Sequence, residues 1–140
     1  MQIHRFILFA CATIILSGCS LTKYVPENER LLSRNTIKSN VPEVPSDILE
    51  PFLQQEPNNY FLSVARIELA LYSCSGEDTS KWVNRWLRQI GEPPVIYDTT
   101  LTRSSQQQLE KQLGNKGYLH AKVNVVEKEK NRQVKITYIV

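Results

Sequence analysis

The chain has 140 residues, 17 basic against 14 acidic, a length that suits one small domain rather than two. The small positive balance is spread along the chain, and its longest charged run, Glu127-Lys-Glu-Lys130, alternates in sign. That composition argues against nucleic-acid binding and reads the run as a solvated turn.

Residues 1–18 have the three-part form of a secretory signal: a polar start with one fixed charge at Arg5, the apolar run Phe6–Leu16, and small residues leading to Cys19. The eleven residues rise about 16 Å as a helix, half of a ~30 Å hydrocarbon core, so the run is too short for a transmembrane span. Leu16-Ser-Gly-Cys19 resembles a bacterial lipobox, which implies diacylation of the Cys19 thiol and cleavage between Gly18 and Cys19. An ordinary cleaved signal followed by a chance cysteine is the alternative. Cleavage leaves 122 residues and removes only Arg5 among the charged side chains, so 16 basic residues face 14 acidic ones. Cys11 leaves with the signal, and Cys74 then has no internal partner. It reads as a small buried residue, with an intermolecular or reactive thiol as the alternative. Ser20 stands where lipoproteins retained at the inner membrane usually carry Asp, and no acidic cluster follows. The implied address is the outer membrane, lipid-anchored, with the domain facing the periplasm.

Ser20–Arg30 is polar, without period, and reads as a lipid-anchored tether over residues 19–30. Leu31–Val41 fits a first strand, with Leu31, Ile37 and Val41 on one face and Arg34, Thr36 and Lys38 exposed. After the proline loop Val41–Pro45, Ser46 or Asp47 can cap a helix carrying Ile48, Leu49, Phe52 and Leu53 on one face, which Pro51 shortens or tilts. Tyr60–Cys74 is long and apolar enough for a helix. Lys81–Ile90 is amphipathic, with Trp82, Val83, Trp86, Leu87 and Ile90 against Arg85 and Arg88, and Gly91 is its expected left-handed cap. A helix capped by Asp98 or Thr100 runs to Gly114 with Leu101, Ser105, Leu109 and Leu113 in one stripe, and Gly117 ends it in the left-handed conformation. Leu119, Ala121, Val123 and Val125 then alternate with His120, Lys122 and Asn124. After a turn over Glu127–Arg132, Val134, Ile136, Tyr138 and Val140 alternate with Lys135 and Thr137. That pattern is a β-hairpin with one buried face. Ending on Tyr138-Ile-Val140, the sequence reads as the front of a longer protein.

Three stretches carry a resemblance: Cys19-Ser-Leu-Thr-Lys-Tyr-Val-Pro-Glu-Asn-Glu-Arg-Leu-Leu32, Ile90-Gly-Glu-Pro-Pro-Val-Ile-Tyr-Asp98 and Leu113-Gly-Asn-Lys-Gly-Tyr-Leu-His-Ala-Lys-Val123. Together they resemble the N-terminus of lipidated TamA-like proteins of the BamA/TamA group of outer-membrane assembly factors. The resemblance implies an α+β, POTRA-like (polypeptide-transport-associated) fold of β-α-α-β-β order over residues 31–140. A small mixed sheet would pack on helices, with an aromatic helical insert over about 60–90 and further POTRA repeats and a β-barrel downstream. It implies a module that receives unfolded outer-membrane proteins, or docks a periplasmic partner subunit, by addition of a strand to a sheet edge. The expected edge is Tyr118–Val126, through Tyr118, His120, Lys122, Asn124 and Val126. The insert, with Tyr60, Phe61, Tyr72, Trp82 and Trp86, is left between three roles: membrane face, partner face or completed core.

Nothing points to an enzyme, a cofactor or a metal. His120 is the one histidine left after the signal, no second His or Cys lies at ligand spacing, and no glycine-rich loop precedes a helix. A stand-alone outer-membrane lipoprotein acting as an envelope scaffold is the second reading, and a small-ligand-binding lipoprotein the third.

Overall fold

The computed structural model describes residues 20–60 and 66–140. The leader, Gly18, Cys19 and Phe61 lie outside the described residues, so the signal and the lipobox have no structural account. The chain divides into two compact units. One comprises Val25–Asn58 with Val95–Val140, and the other comprises Asn59–Pro94 with the segment ending at Tyr24.

The first unit holds the sheet. Strand β1 (Leu31–Lys38) leads through a proline loop to a single turn of helix, α1 (Ser46–Leu49), continued by a 3-10 turn over Glu50–Phe52. Pro51 stands at the start of that 3-10 turn and ends the α-helix after one turn, as its missing N–H requires. The expected cap is absent. Pro45 occupies the N-cap position and no side chain bonds there. Leu49 is buried and Phe52 and Leu53 pack on the core, but Ile48 faces solvent.

The long helix α4 (Thr99–Asn115) begins on Asp98, whose carboxylate accepts from the N–H groups of Thr100 at 2.7 Å and Leu101 at 3.4 Å. Ser105, Leu109 and Leu113 are buried along its stripe and Leu101 is half-buried. Its end is a Schellman closure. Gly117, at φ +97°, donates to Gly114, and Tyr118 donates to Leu113, each at 3.0 Å.

The expected strand over Leu119–Val126 is corrected at its start. The chain turns again over Leu119–His120, leaving Leu119 78% exposed. Val123 is then pinned to α4: its N–H donates to Glu110 at 3.1 Å and its carbonyl accepts from Gln106 at 2.6 Å. Pairing therefore begins only at Asn124. The expected turn over Glu127–Arg132 is corrected as well, because strand β2 runs Asn124–Lys130 and β3 Gln133–Ile139. Only Asn131 and Arg132 form the loop, at φ 51° and 60°. A two-residue loop with both central residues at positive φ matches strand twist, so the charged run becomes strand.

The sheet order is β1-β3-β2, with β1 parallel and β2 antiparallel to the central β3. A bulge at Ser33 shifts the β1 register between Leu32 and Arg34, so Leu31, Leu32 and Ser33 are all buried in succession where alternation was expected. Val134, Ile136 and Tyr138 of β3 meet Leu32, Ile37, Leu109, Leu113 and Val123 in one core cluster. This small mixed sheet packed on helices is the POTRA-like arrangement that the sequence implied.

The second unit contains α2 (Ile67–Cys74) and α3 (Trp82–Ile90). Gly91 does not take the expected left-handed conformation: its φ is −89°. A side chain there would strike backbone instead, with Tyr72 N at 2.6 Å, Leu87 O at 2.7 Å and Glu68 O at 2.8 Å from the position of a Cβ. Cys74 is also corrected. It is exposed and disulfide-bonded, with its partner outside the described residues.

The segment expected to be a tether carries bonds of its own. Lys23 N–H donates to Ser20 O at 3.0 Å, and in the sheet unit Arg132 donates to the carbonyls of Val25 and Pro26 at 2.6 Å.

Candidate polypeptide-binding edge

The two outer strands of the sheet are not equivalent. On the far side of β1, Leu32 N–H donates to Val95 O and Tyr97 N–H donates to Arg30 O, each at 2.8 Å. Ile96 forms a bridge with Leu31, and Asn35 Nδ2 reaches Gln55 O at 2.6 Å. That edge is partly capped. No strand among the described residues lies beyond β2.

Backbone direction on β2 follows from the bonds on the other side of β3. Leu31 N–H donates to Arg132 O and Val140 N–H donates to Lys38 O, so the even-numbered residues of β3 point their backbone groups at β1. The odd-numbered ones then bond to β2, through its partners Asn124, Val126, Lys128 and Lys130. Val125, Glu127 and Glu129 are left with N–H and C=O groups directed away from the sheet. These residues make the edge.

Side chains divide the edge into two faces. Val125, Glu127 and Glu129 lie opposite Tyr138, Ile136 and Val134, on the core face. Both carboxylates there are engaged: Tyr97 Oη donates to Glu127 at 2.6 Å, and Arg30 forms an ion pair with Glu129. Burial, and then the bond to Glu127, push the Tyr97 hydroxyl up to about 12. The opposite face carries Arg34, Lys38, Lys128, Lys130 and Lys135, all exposed, and no strand residue on it is acidic. Arg34, Lys135 and Lys128 form one row across the sheet. Like charges side by side destabilise a sheet by roughly 0.2–1 kcal/mol per pair, and an anionic strand alongside would relieve them.

The family model for POTRA, described as surface antigen variable number repeat, matches residues 32–140. The chain belongs to the POTRA family. Neither the curated proteins nor the solved structures yielded a match. POTRA domains are non-catalytic modules that bind polypeptides, and they occur in the periplasm-facing parts of outer-membrane proteins.

Of the residues expected on the edge of this POTRA domain, only Asn124 and Val126 lie in β2. His120 and Lys122 are exposed ahead of it. Tyr118 is half-buried, and its hydroxyl donates to Glu43 at 3.0 Å, a bond that raises its pKa. Glu127 to Lys130 supply most of the edge. The signal that locates them is Asn131-Arg132, since Asn takes positive φ readily and the hairpin can close there.

Of the described aromatic residues of the insert, Tyr60 and Tyr72 are half-buried. Tyr60 accepts from Arg66 at 2.6 Å, and Tyr72 meets Tyr24 edge-on at 5.5 Å. Trp82 and Trp86 are exposed. Among the described residues no group of His, Cys, Asp and Glu could hold a metal, and no helix is long and apolar enough to cross a membrane.

Proposed function

We propose that this chain is the lipid-anchored front of an outer-membrane protein assembly or translocation factor. In this reading its POTRA domain takes up an extended client or partner polypeptide along β2. The observation that supports it is the asymmetry of the sheet: β1 is partly capped by residues 95–97, while β2 directs the backbone groups of Val125, Glu127 and Glu129 outward. Backbone bonds give an affinity tolerant of client sequence. The cationic face adds a preference, since every second side chain of an added strand would lie beside Lys128 and Lys130. Acidic or polar residues suit those positions.

The lipid anchor rests on Leu16-Ser-Gly-Cys19 and on the short apolar run before it. In this reading the domain sits at the periplasmic side of the outer membrane, with a barrel downstream as the TamA-like resemblance implies. Acylation has a consequence for Cys74. A Cys19 sulfur in a thioether cannot also join a disulfide, and Cys11 leaves with the signal. In the acylated, processed chain the Cys74 disulfide therefore runs to another molecule.

The testing experiment is site-specific photo-crosslinking to peptides from the strands of outer-membrane barrels, with the probe at Val126, Lys128, Thr36 or His120. Crosslinks concentrated at Val126 and Lys128 support the edge. An even spread, or a maximum at Thr36 on β1, refutes it.

A further inference from the structure

Helix α3 is built inside out. Its polar side makes the bonds: Asn84 Oδ1 accepts from Gly76 N–H at 3.0 Å and Nδ2 donates to Asp78 O at 2.7 Å. Arg88 donates to Ser75 Oγ and to Gly76 O, both at 3.1 Å. Its apolar side is left outside, with Trp82 69%, Trp86 52%, Val83 42% and Ile90 40% exposed. No residue of the helix is buried. At about 100° per residue these four fall within an arc of about 100°, a continuous stripe. A helix on the surface of a soluble domain turns such a stripe inward.

Two observations choose what covers it. The first is chemistry. Trp82 and Trp86 are the only tryptophans in the chain, and Lys81–Ile90 contains Lys81, Arg85 and Arg88 but no acidic residue. Arg88 is used inside the unit and Lys81, ahead of the helix, lies 3.9 Å from Asp78, whereas Arg85 is exposed beside the stripe. Tryptophan with a flanking cation suits the boundary between headgroups and acyl chains, where the ring is half in each phase and anionic headgroups meet the cation.

The second is position. Lys23 Nζ and Tyr24 Oη both donate to Ser75 O, at 2.8 and 2.5 Å, and the Arg88 guanidinium lies 5.3 Å from the centre of the Tyr24 ring. The groups that hold α3 by its polar side therefore also hold the residues that follow Cys19. Only four peptide steps separate Cys19 from Lys23, at most about 14 Å of chain. A lipid on Cys19 keeps this unit against the bilayer surface.

We propose that α3 is an interfacial docking helix, with Trp82, Val83, Trp86 and Ile90 seated in an anionic phospholipid surface next to the lipid anchor. The location rests on the acylation of Cys19, while the docking rests on the stripe itself. Two acyl chains on Cys19 already hold the protein stably at the membrane, and a second apolar contact fixes the orientation of the unit on it.

Because both tryptophans lie on α3, intrinsic fluorescence reports this helix alone. The acylated, processed chain is reconstituted in vesicles of phosphatidylethanolamine and phosphatidylglycerol with brominated acyl chains. Blue-shifted emission and quenching by the brominated lipid are expected, and Trp82→Phe and Trp86→Phe should each leave one quenched tryptophan. The processed chain carrying Cys19→Ala should still show quenching on phosphatidylglycerol vesicles, weakened several-fold by Arg85→Glu. Circular dichroism of each variant checks that the fold is kept. A chain that floats with the vesicles while its emission matches the lipid-free protein keeps the anchor and overturns the docking. A Cys19→Ala chain that is quenched, from a protein that never acquires lipid, supports the docking and overturns the anchor. A blue shift that follows protein concentration and not lipid means a second copy covers the stripe, and overturns the proposal.

Discussion

Proline at Glu127 and proline at Lys128 should do opposite things, although the two residues are neighbours on an exposed strand. Lys128 pairs with Lys135 on the bonded side of β2, so Lys128→Pro removes a ladder donor and leaves a carbonyl of β3 without its partner. A lost net hydrogen bond costs about 0.5–1.5 kcal/mol and an orphaned acceptor about 1–3 kcal/mol. The sum, roughly 2–4 kcal/mol, is a large part of the 5–15 kcal/mol that holds an ordinary domain together. Glu127→Pro removes an N–H that faces away from the sheet, and an edge strand accepts proline there. Its folding cost is the bond from Tyr97, about 1 kcal/mol, which Glu127→Ala measures separately. For a client strand, Glu127→Pro deletes a donor and places a ring in its path, and affinity should fall about tenfold or more, equivalent to about 1.4 kcal/mol. Urea unfolding and fluorescence polarisation with a barrel-strand peptide separate the two effects. Equal stability losses would refute the backbone directions derived for β2. Full peptide affinity in Glu127→Pro would refute the edge as the binding site.

An absorbance titration of the tyrosinates should show a late component from Tyr97, near pH 12, that disappears in Tyr97→Phe. The folded pKa lies above the unfolded value of about 10, so this contribution to stability is complete below pH 10 and is lost as pH rises from 10 toward 12. Gly91→Ala should loosen the unit around α2 and α3 by more than 1 kcal/mol, because backbone atoms at 2.6–2.8 Å from the new Cβ cannot swing aside. Gly114→Ala meets nothing within 4 Å inside α4 and should stabilise by about 0.5–1 kcal/mol; thermal melts of the pair decide both. Maleimide labelling with intact-mass analysis should find no reactive thiol at Cys74 until the protein is reduced, and labelling of Cys74 without reductant would refute its disulfide.

The α4–hairpin region was legible because its determinants are local. Asp98 caps, Leu109 and Leu113 repeat at helical spacing, Gly117 is left-handed, and Val134, Ile136 and Tyr138 alternate through a central strand whose two neighbours are supplied by the same unit. Errors came where a tertiary bond overrode a local pattern. Leu119 fits the alternation of a strand, but Glu110 and Gln106 hold Val123 against the helix and delay the pairing. Glu127 to Lys130 look like a turn because four successive charges suit solvent, yet an edge strand at the end of a hairpin has solvent on both faces. Charge then serves as protection against uncontrolled pairing and not as a sign of irregular chain. The same logic explains why the edge strand begins several residues later than the apolar alternation suggests. Apolar alternation finds strands with a buried face, and the part of β2 best exposed to a partner is the part that does not alternate. On α3 the amphipathic period was correct but its direction could not be read from the sequence, because spacing fixes which residues share a face and not which face turns outward. That direction is set by Asn84 and Arg88, two polar residues whose partners are carbonyls and hydroxyls of the loop after α2. Where polar residues on an amphipathic helix have such inward partners, the apolar stripe is the side offered to something outside the chain.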